Sequence, residues 1–147
     1  MAEHEDTCDF GWSVGVLNKA YAEAVAPILD RIPRGVRGYQ TLYAAATYDL
    51  PTQLALADYL IIDKSVMPYV VDDLVAAGLV RREPLPSDRR AITIVLTDRG
   101  TAVAAEATEA LNRDLFRDTG FAPDEVDSLI TILRRFRAHA GDFAIEG

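Results

Sequence analysis

One cysteine, Cys8, and two histidines, His4 and His139, stand in the 147 residues of the chain. A lone thiol excludes an intramolecular disulfide and fits a reducing compartment. Three such residues so widely separated offer no metal-ligand spacing, so no metal is expected. No run of 18 apolar residues occurs, which excludes a helical membrane span. The first ten residues, MAEHEDTCDF, have neither the basic start nor the apolar centre of a secretory signal. Together these absences predict a cytoplasmic protein. A Gly-rich phosphate loop, a nucleophile elbow and paired His/carboxylate spacing are missing too, so neither an enzyme nor a cofactor is expected. Positive charge is also scarce: 15 basic against 23 acidic residues give a net −8, the wrong sign for a generic nucleic-acid binder.

What is present is a globular composition, 50% apolar and 26% charged, at a length that suits one domain. The chain is organised around Thr52–Gly100. Leu54, Ala57, Leu60 and Ile61 fall at helical spacing, and a tight turn around Ile62-Asp63 follows. A second helical pattern carries Val66, Val70, Val71, Leu74 and Val75, and Gly78 stops it where a left-handed residue is cheap. Strand-like Leu79–Glu83 and Ala91–Thr97 come next, joined by a Pro/Ser/Asp/Arg loop. Helix, turn, helix and two-stranded wing is the order of a winged helix-turn-helix, whose second helix enters a major groove. Charge is uneven within it. Leu79–Gly100 holds five arginines against three carboxylates, a net +2, whereas Asp49–Gly78 holds five aspartates against Lys64, a net −4.

The flanks read as helices. Val14, Leu17, Tyr21, Val25, Ile28 and Leu29 share one stripe over residues 12–32, which Pro27 should kink or break. Pro33, Gly35 and Gly38 mark a loop, and residues 38–48 form another helix with Tyr39, Leu42, Tyr43 and Ala46. Residues 1–11 are polar and expected to fray. Thr52 and Thr97 are placed to cap helices, the latter a long Ala-rich one over 98–119 ended by Gly120. Pro123, Asp124 and Glu125 open the last helix, which carries Val126, Leu129, Ile130, Leu133 and Phe136 on one face. Apolar stripes at both chain ends, outside the winged core, need a cover.

Leu56-Ala57, Leu60, Asp63-Lys64-Ser65, Leu74 and Gly78-Leu79-Val80-Arg81-Arg82 carry a resemblance. Asp88-Arg89-Arg90, Leu96-Thr97 and Gly100 complete it. In this order and spacing, over residues 12–140, the chain resembles the MarR family of bacterial transcription regulators. The resemblance implies a mainly α fold with a small antiparallel β-wing: a winged helix-turn-helix with N- and C-terminal dimerisation helices. It divides one domain, 1–147, into dimerisation helices at 12–48 and 101–147 and a DNA-binding lobe at 49–100. The implied protein is a homodimeric regulator, a ligand-responsive repressor of a pseudo-palindromic operator in double-stranded DNA. A winged dimer that has lost DNA binding and serves as an interaction or ligand-binding module is the alternative, motivated by the acidic helix-turn-helix.

Lys64, Ser65 and Tyr69 sit where the recognition helix meets bases and phosphates. Pro68 bears on where that helix starts. A cap at Asp63 would leave it at a costly fifth position, whereas a cap at Ser65, the preferred choice, puts it among the first unbonded amides. Arg89 and Arg90 are placed at the wing tip for the minor groove, with Asp88 orienting one guanidinium. Arg81 and Arg82 suit phosphates or packing. Asp72 and Asp73 are read as solvated or paired with an arginine away from the groove. Met67, Pro68, Tyr69 and Asp73 stand where the family has polar or basic residues, and Ile61 where it has a turn glycine. The family's small aromatic or phenolic effectors would meet Trp12, Tyr21, Tyr39 and Tyr43, with Arg31, Arg34 or Arg37 for an anion. A peroxide-sensing branch has a cysteine and tyrosine where this chain has Gly11 and Gly15, so redox sensing is not expected.

Overall fold

The computed structural model describes residues 7–139. Among them the helices are α1 (Thr7–Val25), α2 (Val36–Thr47), α3 (Gln53–Leu60), α4 (Met67–Ala76), α5 (Asp98–Asp114) and α6 (Pro123–His139). Strands β1 (Val80–Leu85) and β2 (Asp88–Leu96) pair antiparallel between α4 and α5. His4 and residues 140–147 of the expected dimerisation segment lie outside the described residues.

Local chemistry sets most of the boundaries. The Thr52 hydroxyl accepts from the Ala55 N–H at 3.1 Å and starts α3; the Thr97 hydroxyl accepts from the Gly100 N–H at 3.0 Å and starts α5. Pro123 stands first in α6, and the Glu125 carboxylate reaches back to the Ala122 N–H at 3.1 Å. Gly78, with φ 73°, closes α4: its N–H bonds to the Val75 carbonyl at 2.9 Å and the Leu79 N–H to the Leu74 carbonyl at 3.0 Å. That pair of bonds is the Schellman arrangement, and it uses two carbonyls the helix end would otherwise leave bare.

The core lies where α2 meets the winged lobe. Helix α2 touches α3, α4, α5 and β2, and Leu42, Leu56, Val71 and Leu74 are sealed around it. Val25 and Leu29 add to the core from the end of α1 and the turn after it. Each such side chain contributes about 1.5–3 kcal/mol on burial.

Three expectations change. Helix α1 begins at Thr7, inside the stretch expected to fray, and ends at Val25 rather than running to 32; turns around Pro27 replace its last part. Its stripe is split between two surroundings: Val25 is buried, whereas Val14 and Leu17 are exposed. Helix α5 stops at Asp114, not 119. The Thr119 hydroxyl donates to the Phe116 carbonyl at 2.8 Å and accepts from the Phe121 N–H at 3.3 Å, favouring tight turns over another helical turn. The wing strands are longer than expected and nearly absorb the loop, leaving Pro86-Ser87 at the turn.

Register runs evenly from Val80↔Leu96 to Pro84↔Ile92, then jumps to Leu85↔Asp88. Arg89, Arg90 and Ala91 have no opposite residue, so β2 bulges there. The wing base is stitched shut. The Thr97 N–H donates to the Leu79 carbonyl at 3.0 Å, and its hydroxyl donates to the Gly78 carbonyl at 2.6 Å. Gly100 lies so close that a Cβ there would stand 1.8 Å from the Leu79 oxygen.

Candidate nucleic-acid interface

The turn between α3 and α4 rests on an uncommon residue. Ile61 has φ 53° and ψ 46° with its side chain 86% exposed. A β-branched residue is a poor occupant of this left-handed conformation. Its neighbours hold it there. The Ile62 N–H bonds to the Ala57 carbonyl at 2.9 Å, Ile62 is buried, and the Arg37 guanidinium donates to the Leu60 carbonyl at 3.1 Å.

After the turn, Asp63 organises the entry into α4. One carboxylate oxygen accepts from the Ser65 hydroxyl at 2.6 Å and the Ser65 N–H at 2.8 Å. Those bonds, the hydroxyl's first and the amide's second, hold the Asp63 carboxyl below the usual carboxylate range. The Asp63 carbonyl accepts from the Val66 and Met67 N–H groups, both at 2.9 Å. Val66 is therefore the N-cap, without a side-chain capping bond, and Ser65 is not. Ser65 loses that role because Asp63 already takes its hydroxyl. Pro68 falls within the first turn, where a missing N–H leaves no bond unmade. Lys64 is exposed with its ammonium 3.7 Å from Asp58, and Tyr69 is 61% exposed. Met67, which stands where the resemblance implies a polar or basic residue, is a core residue.

The acidic half of α4 is internally compensated. Asp72 pairs with an Arg82 terminal nitrogen at 2.6 Å. The same guanidinium donates to Gln53 Oε1 at 3.2 Å and to the Pro68 carbonyl at 3.0 Å, tying β1 to α3 and α4. Asp73 meets Arg34 Nε at 2.6 Å, with Arg34 itself at φ 66°. Both aspartates thus have the arginine partners the sequence reading allowed. Arg34 and Arg37, considered there for an anion, are engaged by Asp73 and the Leu60 carbonyl. Arg82 is the supporting residue that sequence reasoning placed only loosely. Two adjacent aspartates on a recognition helix were the signal that counter-ions had to come from elsewhere.

At the wing, Arg89 and Arg90 are exposed on the bulge, and among the described residues neither guanidinium has a hydrogen-bond or ion-pair partner. Asp88 does not orient a guanidinium. Its carboxylate accepts from the Arg90 backbone N–H at 3.0 Å, because the bulge turns that amide towards it. Arg81 is bound along the strand to Glu83 at 2.7 Å.

Comparison with known proteins bears on this lobe most directly. The model of the MarR family matches residues 39–91. The multiple antibiotic resistance protein MarR of Escherichia coli (strain K12) is 29% identical over 86 residues, 57% of this chain and 60% of that protein. The HTH-type transcriptional regulator PecS of Dickeya dadantii (strain 3937) is 34% identical over 92 residues, 60% of this chain and 53% of that protein. Over that lobe the chain is similar to the MarR family. The matched region spans less than two thirds of either relative's length. Solved structures extend the likeness in fold to almost the whole chain. CouR from Rhodococcus jostii RHA1 bound to p-coumaroyl-CoA has a TM-score of 0.73 at 25% identity, covering 100% of this chain and 98% of that one. The transcriptional repressor CouR bound to a 23-mer DNA duplex has a TM-score of 0.75 at 21% identity, covering 93% and 99%.

The aromatic residues considered for an effector differ in setting. Tyr39 is buried and shares a 2.9 Å hydrogen bond with Thr108. It heads a row in which Tyr39–Tyr43, Tyr43–Tyr48 and Tyr48–Tyr59 ring centres are 6.0, 6.2 and 4.9 Å apart. Burial pushes the Tyr21 and Tyr39 phenols up; Tyr39 adds to the rise at Tyr21, and the Thr108 bond partly offsets it at Tyr39. Trp12 is 74% exposed on α1. At the far end of the row, Arg137 of α6 donates to the Tyr59 hydroxyl at 2.8 Å, so α6 reaches the winged lobe.

Proposed function

We propose that the protein is a transcriptional regulator that binds a pseudo-palindromic operator in double-stranded DNA as a homodimer and represses. One observation carries the DNA reading. In a chain of net charge −8, the aspartates of the recognition helix are neutralised internally, while Arg89 and Arg90 project from the wing with no partner among the described residues. Unpaired guanidiniums on a narrow hairpin suit a minor groove, where the phosphate potential is most negative. Lys64, Ser65 and Tyr69 would face the major groove.

The dimer reading draws on the terminal helices. Among the described residues α6 buries no residue, and it exposes Ile132, Leu133 and Phe136; α1 exposes Phe10, Trp12, Val14, Val16 and Leu17. The Phe10 and Phe136 rings meet edge to face at 5.5 Å, joining the two helices into one apolar surface. A two-fold partner would cover it and set two recognition helices one DNA turn apart. Residues 12–48 and 101–147 would then be the dimerisation part and 49–100 the DNA-binding lobe. A small aromatic or phenolic effector between the two parts would act by favouring a spacing that does not fit the operator. Tyr21, Tyr39, Tyr43 and the exposed Trp12 are the residues that would meet it. The interaction-module alternative drew on the acidic helix-turn-helix, and against it stand the arginine partners of Asp72 and Asp73, two of its five aspartates.

The test is fluorescence anisotropy of the purified protein on the intergenic duplex beside its own gene, at two salt concentrations. Binding should weaken steeply with salt. Arg90→Ala should weaken it by about 1–3 kcal/mol; an unchanged affinity would refute the wing-tip role.

A further inference from the structure

The entry to α4 has few polar groups left for reading bases. The Ser65 hydroxyl is donated to Asp63, and the Lys64 ammonium leans towards Asp58. Farther along, Asp72 and Asp73 are held by Arg82 and Arg34. Met67 and Val70 point into the core. What the helix presents outward at this end is apolar: Val66, 43% exposed and contributing no capping bond, and one turn on the ring of Tyr69. Residues three apart on a helix are neighbours, so the two form one small surface.

We infer that Val66 and Tyr69 read thymine 5-methyl groups in the major groove, making this regulator a reader of methyls rather than of hydrogen-bond patterns at that position. The inference rests on the DNA-binding reading above. In the major groove the thymine methyl is the one apolar feature of a base edge, and an apolar side chain over it is its natural complement. A carboxyl-rich, arginine-compensated helix has little to offer guanine O6 and N7, which call for an unpaired arginine or lysine. The operator should therefore carry thymine opposite the start of each recognition helix, with discrimination by shape contact there and by charge only at the wing.

The experiment starts from duplexes enriched by the intact protein from a random-sequence pool. Each thymine of the half-sites is replaced singly by deoxyuridine, which removes the methyl and leaves the pairing edge intact. Anisotropy should show at least one position per half-site where the exchange weakens binding about fourfold, the worth of one buried methyl. Val66→Ala should bring that ratio close to one while leaving the salt dependence in place. Val66→Thr supplies a capping hydroxyl and keeps one methyl, so it reports on the same ratio if Val66→Ala frays the helix. Equal affinity for every thymine and deoxyuridine duplex would overturn the inference, as would a full ratio retained in both variants. Failure to enrich any duplex would overturn the DNA reading itself.

Discussion

Replacing Ile61 by glycine should make the protein more stable, although it deletes four carbons from a hydrophobic side chain. The left-handed conformation at this position costs an ordinary L-residue about 1–2 kcal/mol, and β-branching makes isoleucine one of the worst occupants. With the side chain 86% exposed, the truncation forfeits little burial. Glycine brings its own penalty of about 0.5–1 kcal/mol through the freedom it has when unfolded. The balance is a gain of about 0.5–1 kcal/mol, or about 1–4 °C in Tm for a chain of this size. Urea and thermal unfolding followed by circular dichroism would measure it, at one fixed protein concentration because a dimer's stability depends on concentration. Ile61→Val is the control: it keeps the branch and the strain and should gain nothing. A glycine variant no more stable than the parent, or a valine variant that gains as much, would refute the account of the turn.

Two further substitutions probe the base of the wing and the helix support. Gly100→Ala places a methyl 1.8 Å from the Leu79 carbonyl oxygen and must push the start of α5 off the wing; a loss of at least about 2 kcal/mol in denaturant unfolding is expected. Arg82→Ala leaves Asp72, Gln53 and the Pro68 carbonyl without their shared donor and should cost about 1–3 kcal/mol of stability. It should also weaken operator binding, because an uncompensated carboxylate then faces the phosphates. Adding Asp72→Asn should recover part of the affinity, and a double variant that binds no better than Arg82→Ala would refute the charge argument.

The features legible in the sequence were those written in a few adjacent residues. Thr52 and Thr97 cap the helices assigned to them, Gly78 ends α4, Pro123 opens α6 and Pro27 lies in a break. Each depends on a residue acting on backbone within four positions of it. Where two such groups compete, the outcome was not readable. Asp63 and Ser65 were both candidate caps; their hydrogen bond to each other left the position to Val66, which has no polar atom to offer. Asp88 could face a guanidinium or an amide, and only the bulge decides between them. Pairs distant in the chain leave no local pattern at all: Arg34 and Asp73 are 39 positions apart, and Arg82 reaches back 29 to Gln53. The stripe on α1 is a related case. Periodicity reports that a face is apolar, not whether this chain or another one covers it.

The contact between Arg34 and Asp73 also limits how this recognition helix can change. A basic residue at 73 would stand directly against the Arg34 guanidinium, which now lies 2.6 Å from a carboxylate. Position 73 can exchange sign only if 34 changes with it, or after passing through a neutral residue at one of the two. The loop after α1 thereby restricts the charges that α4 can present. If the protein reads an operator as proposed, part of its preference would be inherited from a side chain on another element, and two lineages that diverge at 34 would find different operators within reach.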